Sequence, residues 1–302
     1  MQTPRVMVCG GAGFIGSHLC DRLVAGGHEV DVVDNLETGS LANLAEARAA
    51  TGRFKFQNVS VDSPEFAGLV SLRRPDVIVN LVSMAPSLCH LSGGLRSLKI
   101  ATTVLEASRL ASVAKVVTVL PGALLYGEVP AKELPIKEGH LSEPRTSEEV
   151  FARAIADLHA VYRDRHGVDY TVLAMSNVYG TRQRPEDGVV AAFVRALDSG
   201  SAPVIHGSGK QTRDFVHVDD AVDAVVRSFD RGGGLVVNVG SGNPVTVREL
   251  WSLMSGASGL APRAAAARPN DIARLSLSPV RARIQLGWSP FTALKDGLAA
   301  LR

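Results

Sequence analysis

Residues 10–16 read Gly-Gly-Ala-Gly-Phe-Ile-Gly, and 18 residues after Gly16 stands Asp34, at the end of the strand-like run 30–33. Glycine at three of these positions serves a ligand. Gly10 permits a tight turn, Gly13 lets a pyrophosphate approach the backbone, and Gly16 allows a helix to lie close on its strand. A helix starting here offers unpaired N–H groups and a positive dipole end to phosphates. A carboxylate at Asp34 accepts hydrogen bonds from ribose hydroxyls and repels a 2′-phosphate, which favours NAD over NADP. Glycines alone fit any tight strand–helix turn. The strand before them, the helix after them and Asp34 together specify a dinucleotide.

The elements that must hold this loop follow from periodicity. Strand patterns at Arg5–Cys9, Glu29–Val33, 54–58, 76–81, 116–120 and 170–176 alternate with helical patterns at 16–25, 101–111 and 148–165. That alternation predicts an α/β fold, a Rossmann-type doubly wound parallel sheet. After Gly180 the elements shorten. Helices are expected at 189–197, 218–228 and 248–254, with extended runs at Val204–His206 and Leu235–Val239. Residues 1–176 are thus expected to form the dinucleotide-binding domain. Residues 177–302 would form a smaller α/β region over the carboxyl edge of the sheet, interleaved with the first near 205–235.

The 302 residues are 46% hydrophobic and 21% charged, with a formal charge of +2. Near-neutrality argues against nucleic acid or a membrane surface as the main partner. No apolar stretch reaches the roughly 20 residues that span a bilayer, and the first apolar run carries the glycine loop and not a signal peptide. Cys9, Cys20 and Cys89 show neither metal-ligand spacing nor a disulfide framework. Cys9 on a strand and Cys20 on a helix read as small buried hydrophobes, while Cys89 falls in a loop. A reducing cytoplasm and no metal are expected.

Further motifs extend along nearly the whole chain: Asn177-Val178-Tyr179-Gly180, Gly207-Ser208-Gly209, residues 213–220 (Arg-Asp-Phe-Val-His-Val-Asp-Asp), Asn238-Val239-Gly240-Ser241-Gly242, Arg268-Pro269-Asn270-Asp271 and Leu286-Gly287-Trp288-Ser289-Pro290. With the glycine loop and Val33-Asp34-Asn35-Leu36, the chain resembles the extended short-chain dehydrogenase/reductases that epimerise or dehydrate nucleotide sugars. The resemblance implies that Phe14, Ile15, Asn35, Leu81, Val82 and Ser83 line the NAD site, with Asp62 meeting the adenine. It also implies that Asn177, Val190, Arg213 and Arg268 hold the nucleotide diphosphate of a sugar substrate, with Asp271 near its ribose. Arginines suit a diphosphate because their planar forks bind it bidentately. Plainer readings stand beside these: Arg213 paired with Asp214 or Asp219, and Arg268 as a solvated surface charge. A homodimer through the helices near 101–111 and 148–165 is implied as well.

The departure lies in the catalyst. The family oxidises a sugar alcohol with a Ser or Thr and a Tyr-x-x-x-Lys pair, Tyr taking the hydroxyl proton and Lys lowering its pKa. Matched on Tyr126-Gly127, the Ser/Thr position falls on Gly122. Matched on the helix at 147–157, Tyr falls on Glu149 and Lys on Arg153. A glutamate normally titrates about 5–6 pK units below a tyrosine, roughly 8 kcal/mol in proton affinity, so it is a poor substitute base. Arg153, one turn on, favours the carboxylate further. The plainer reading of the two is a solvent-facing i,i+4 ion pair. His90, in the loop 85–94 at the catalytic edge of the sheet, is a second candidate, because a neutral imidazole accepts a proton near pH 7; an ordinary loop histidine is its plainer reading. Tyr126 and Tyr179 read as packing residues and Lys99 as a helix surface charge. Ala123 and Leu124 replace the acidic residue that dehydratases and decarboxylases of this family carry after the Ser/Thr position.

The sequence therefore points to an NAD-dependent epimerase of a nucleotide-activated sugar, working by transient oxidation to a keto-sugar and re-reduction, with a non-standard acid/base. Two alternatives remain open at this level: a catalytically silent protein that binds NAD and a nucleotide sugar, and an NADH-dependent keto-sugar reductase.

Overall fold

The computed structural model describes residues 3–49, 52–82, 91–140, 142–256 and 258–301. Six strands come from the first 175 residues: β1 (Arg5–Cys9), β2 (Glu29–Val33), β3 (Phe54–Gln57), β4 (Val77–Asn80), β5 (Lys115–Pro121) and β6 (Asp169–Met175). Between them run α1 (Phe14–Ala25), α2 (Ala45–Ala49), α3 (Glu65–Arg73), α4 (Leu91–Ala111), α5 (Gly122–Tyr126) and α6 (Ser147–His166). The remaining chain forms β7 (Asn177–Tyr179), α7 (Val189–Asp198), β8 (Val204–His206), β9 (Thr212–Arg213), β10 (Phe215–His217), α8 (Val218–Arg227), β11 (Leu235–Val239), β12 (Val245–Thr246), α9 (Val247–Ser255), β13 (Arg263–Ala265), α10 (Val280–Gln285) and α11 (Leu294–Ala299).

The main sheet has seven strands in the order β11-β6-β5-β4-β1-β2-β3, every neighbouring pair parallel. Strand order reverses between β1 and β4, and a crevice opens at the carboxyl ends there. The sheet is buried on both faces, so its strands read as nearly continuous apolar runs. In β1 alternate residues serve opposite layers: Val6 and Val8 pack with Leu19 and Leu23 of α1 and Val225 of α8. Met7 and Cys9 pack with Phe66 of α3 and Ile100 and Val104 of α4. Cys9 and Cys20 are free and buried, as the sequence implied. Cys89, Ser83 and His90 lie outside the described residues.

The helices depart from expectation in places, the short α2, α5, α10 and α11 among them. The sequence pattern starts the fourth helix at residue 101, but α4 begins at Leu91 and takes in Gly93 and Gly94. Glycine disfavours helix interiors. Here tertiary packing overrides that preference, because a Cβ at Gly94 would overlap the Phe151 ring of α6. The weakly amphipathic α3 has no counterpart in the sequence reading. On the other side, α6 is fastened to β5 by a buried histidine. His159 Nδ1 donates to the Ile155 carbonyl at 2.7 Å, and its Nε2 accepts from the Thr118 hydroxyl at 2.8 Å. Burial pushes its pKa down to about 4, which keeps the ring neutral.

The C-terminal third makes smaller pairings, β7 with β10, β9 with β12 and β8 with β13. They surround a core built on Phe193, Trp251 and Tyr179. The chain then returns to the large sheet through α8, which packs on α1, and β11, which pairs with β6. Val204–His206, at the start of the stretch expected to interleave, stays in the smaller region.

Candidate active site

A cavity of about 350 Å³ opens at the carboxyl ends of the strands. Gly10, Gly13, Phe14, Ile15 and Gly16 line it from the glycine loop, Asp34 and Asn35 from the end of β2, and Leu81 and Val82 from the end of β4. The sequence had grouped these residues. Their geometry explains why the loop cannot be otherwise. Gly10 turns at φ +82°, and a Cβ on Gly16 would run into the Gly10 backbone. Gly13 caps α1 without any side-chain hydrogen bond, leaving the first-turn amides directed at the cavity. Asp34 is only 8% exposed. Its two oxygens accept from the amides of Ala12 (2.9 Å) and Leu36 (2.8 Å), which ties the strand end to the loop and fixes the carboxylate.

Asp62, expected against the adenine, does not line the cavity. Its carboxylate is taken by Ser60 and by Arg96 of α4, whose Nε donates to it at 3.0 Å. Arg96 lines the cavity in its place and also donates to Glu37 at 2.8 Å. Burial pushes Asp62 upward, but the hydrogen bonds from Ser60 and Arg96 win and hold it below the usual carboxylate range. Arg96 and Glu37 were not singled out from the sequence. Glu37 sits three residues after Asp34 and was within reach; Arg96 carries no local signal.

The expected substrate residues divide between two clefts. Asn177 and Val190 line the large cavity, continuous with the glycine loop. Arg268 and Asp271 line a second, smaller cleft beside His206–Lys210 and Arg274. Arg213 lines neither; it pairs with Asp271 at 2.5 Å, not with Asp214 or Asp219. Asp214 is unavailable because its buried carboxylate accepts from Ser241, Gly242 and Leu277. Arg184 and Asp187 also line the large cavity, bound to each other by two 2.8 Å hydrogen bonds. They follow the Asn177–Gly180 motif directly, and extending that motif would have found them.

None of the three altered family positions lines the cavity. Gly122 is buried, and a Cβ there would stand 2.7 Å from Leu277 Cδ1 and 3.1 Å from the Met175 carbonyl oxygen. Leu277 would have to shift to admit a serine. Glu149 is only 5% exposed. The solvent-facing ion pair with Arg153 is therefore corrected: Glu149 accepts from the Arg145 amide at 2.7 Å, just before the helix that Thr146 caps. Gly127, at φ +64°, lets the carboxylate approach, since a Cβ there would lie 2.9 Å from Glu149 Oε2. Arg153 reaches Ser142 Oγ at 3.0 Å and the Leu125 carbonyl at 3.4 Å. These positions now stitch loop 125–146 to α6. Tyr126 and Tyr179 are buried packing residues, Tyr126 donating to Asn238 at 2.6 Å, and Lys99 is an exposed helix residue.

The chain is similar over 98% of its length to UDP-glucose 4-epimerase of Mycolicibacterium smegmatis, with 38% identity and 96% of that protein covered. Among solved structures, UDP-glucose 4-epimerase of Thermotoga maritima with UDP-glucose superposes with a TM-score of 0.89 at 32% identity, covering 97% of this chain and 96% of that one. The Thermus thermophilus UDP-glucose 4-epimerase complex with NAD gives 0.85 at 31% identity, with the same coverage. The model of the NAD dependent epimerase/dehydratase family matches residues 6–240. Together with the seven-stranded Rossmann sheet and its glycine-lined cavity, this establishes that the chain belongs to the NAD-dependent epimerase/dehydratase family.

Proposed function

We propose that the protein is an NAD-dependent epimerase of a nucleotide-activated sugar in which the acid/base lies outside the usual family positions. The observation that carries this reading is the single cavity joining Asp34 and the glycine loop to Asn177 and Val190. NAD, when bound, takes hydride from a sugar carbinol and returns it. The chain's own groups do the rest. The α1 amides and Gly13 receive the pyrophosphate, and Asp34 accepts from a ribose hydroxyl. Asn177 meets the sugar nucleotide in the large cavity, and Arg268 and Asp271 of the second cleft, with Arg213 held by Asp271, take its diphosphate and ribose end. The side of the cavity formed by β5, β6 and β10 is mostly apolar, with Val119, Pro121, Met175 and Phe215. Such walls suit hydride transfer because they exclude water. With Glu149 committed to the Arg145 amide, His90 is the remaining sequence candidate for the proton acceptor.

Incubating the purified protein with NAD and UDP-glucose or UDP-galactose tests this reading. The expected result is a 4-epimer product that disappears in Arg213→Ala, and that is retained in Glu149→Gln but lost in His90→Ala. If no sugar nucleotide tried yields an isomer while calorimetry still detects both ligands, the second reading stands: a binding protein without turnover. The close approach of Leu277 to Gly122, which leaves no ready room for a serine, is the observation that favours it.

The protein is further proposed to be a homodimer through α4 and α6, which pack on each other and leave Leu91, Leu95, Leu110, Val150 and Val161 exposed. Light scattering on Leu95→Glu checks this. Free buried thiols suit a cytoplasmic location. Among the described residues no helix is long and apolar enough to cross a membrane.

A further inference from the structure

Three charged side chains from three separate elements meet at the β2–β3 end of the cavity. Glu37 comes from the loop after β2, Asp62 from the segment after β3 and Arg96 from α4. Arg96 Nη1 donates to Glu37 at 2.8 Å, its Nε to Asp62 at 3.0 Å, and Nη2 approaches Ser60 Oγ at 3.3 Å. This end is lined by Asn35, Glu37 and Thr38 from the segment after β2, and by Ser60 and Val61 from the segment after β3. Arg96 joins the two segments. Its side chain is 30% exposed and lines the cavity.

We propose that Arg96 is a positioning residue that closes the adenosine end of the NAD site, and that cofactor exchange requires its bridge to Glu37 and Asp62 to open. The proposal rests on NAD occupying this cavity. Arginine suits the role because one planar guanidinium can donate to two carboxylates at once, whereas a lysine ammonium holds one of them well. The same group leaves three carboxylates, Asp34, Glu37 and Asp62, against one cation. Asp62 is thereby turned from a direct ligand of the adenine into the anchor of the residue that covers it. Partly exposed ion pairs are individually weak and screened by salt. A bridge of two such arms therefore gives a release rate that rises with ionic strength.

Stopped-flow displacement of NADH from the full-length protein, followed by nicotinamide fluorescence across a salt series, tests this. Arg96→Ala should release NADH about five- to tenfold faster at low salt, the size expected from losing two partly exposed ion pairs. It should also lose most of the salt dependence. Arg96→Lys should fall between the two, and Glu37→Gln should remove one arm's share. The ligand-free melting temperature should change little, which separates closure from a general structural role. Should Arg96→Ala fail to fold, Glu37→Gln carries the test, because Glu37 is half exposed and its loss leaves the core intact. Release rates within twofold of the parent, with the same salt slope, in these variants overturn the proposal. A parent protein that binds no NADH overturns the cofactor assignment itself.

Discussion

The glycine loop and the Gly122–Glu149–Arg153 region have been treated differently. At the glycine loop every family requirement is kept, because the ligand is met by backbone. Gly10, Gly13 and Gly16 are fixed by turn geometry and close approach, and Asp34 is locked by the amides of Ala12 in that loop and Leu36 just beyond β2. Around Gly122, Glu149 and Arg153, which lie off the cavity, the usual side chains are gone and their hydrogen bonds serve structure. Binding that depends on backbone shape is hard to lose without losing the fold. Catalysis that depends on side-chain reactivity can be replaced position by position while the helix carrying it stays in place.

The comparison can be broken or sharpened by experiment. The largest effect should come from the anchor of the altered region. An unfolded histidine titrates near 6.5 and His159 near 4, so the unfolded chain binds the extra proton first as pH falls. Stability is full above about pH 6.5 and is lost progressively down to about pH 4, by about 3 kcal/mol from this group. Urea unfolding at several pH values should show that slope in the parent and a flatter one in His159→Gln.

Next, Glu149→Ala should destabilise by about 2–3 kcal/mol, since it leaves the Arg145 amide without its charged acceptor. Glu149→Gln should recover most of that. A variant that stays stable but loses turnover would return Glu149 to the chemistry. At the glycine loop, Asp34→Ser should weaken NAD about 10- to 100-fold, the value of a hydrogen bond to a charged group. It should gain little NADP binding, because the nearby cation, Arg96, is already held by Glu37 and Asp62; titration with both cofactors measures this. The smallest effect belongs to Gly122→Ser, expected to cost about 1–2 kcal/mol through overlap with Leu277. In a Leu277→Ala background the serine should cost less, a coupling that a thermal-melt cycle detects.

The sequence made the glycine loop legible because its demands are local: a strand, a turn, a helix and a carboxylate within about two dozen residues. The sheet was legible for a similar reason, since strands buried on both faces announce themselves as Val-rich runs. What stayed hidden depends on residues far apart in the chain. The early start of α4 is decided by Phe151 meeting Gly94, against the helix preference of Gly93 and Gly94 themselves. Leu277 closing on Gly122 and Arg96 bridging Glu37 to Asp62 leave no pattern in any window of sequence. Glu149 could be assigned to its helix but not to the inside of it, because its partner is a backbone amide of the preceding loop.

β11 has a consequence for how the molecule is made. The strand that covers the outer edge of β6 is contributed by residues 235–239, well after the rest of the sheet has been synthesised. Until then a growing chain carries a long, apolar strand with its hydrogen-bonding groups unsatisfied, a template for pairing with another copy. A chain stopped near residue 176 should therefore aggregate, although it contains the whole NAD loop. The cofactor module is not a detachable part: its sheet is completed only by the region that would receive the substrate.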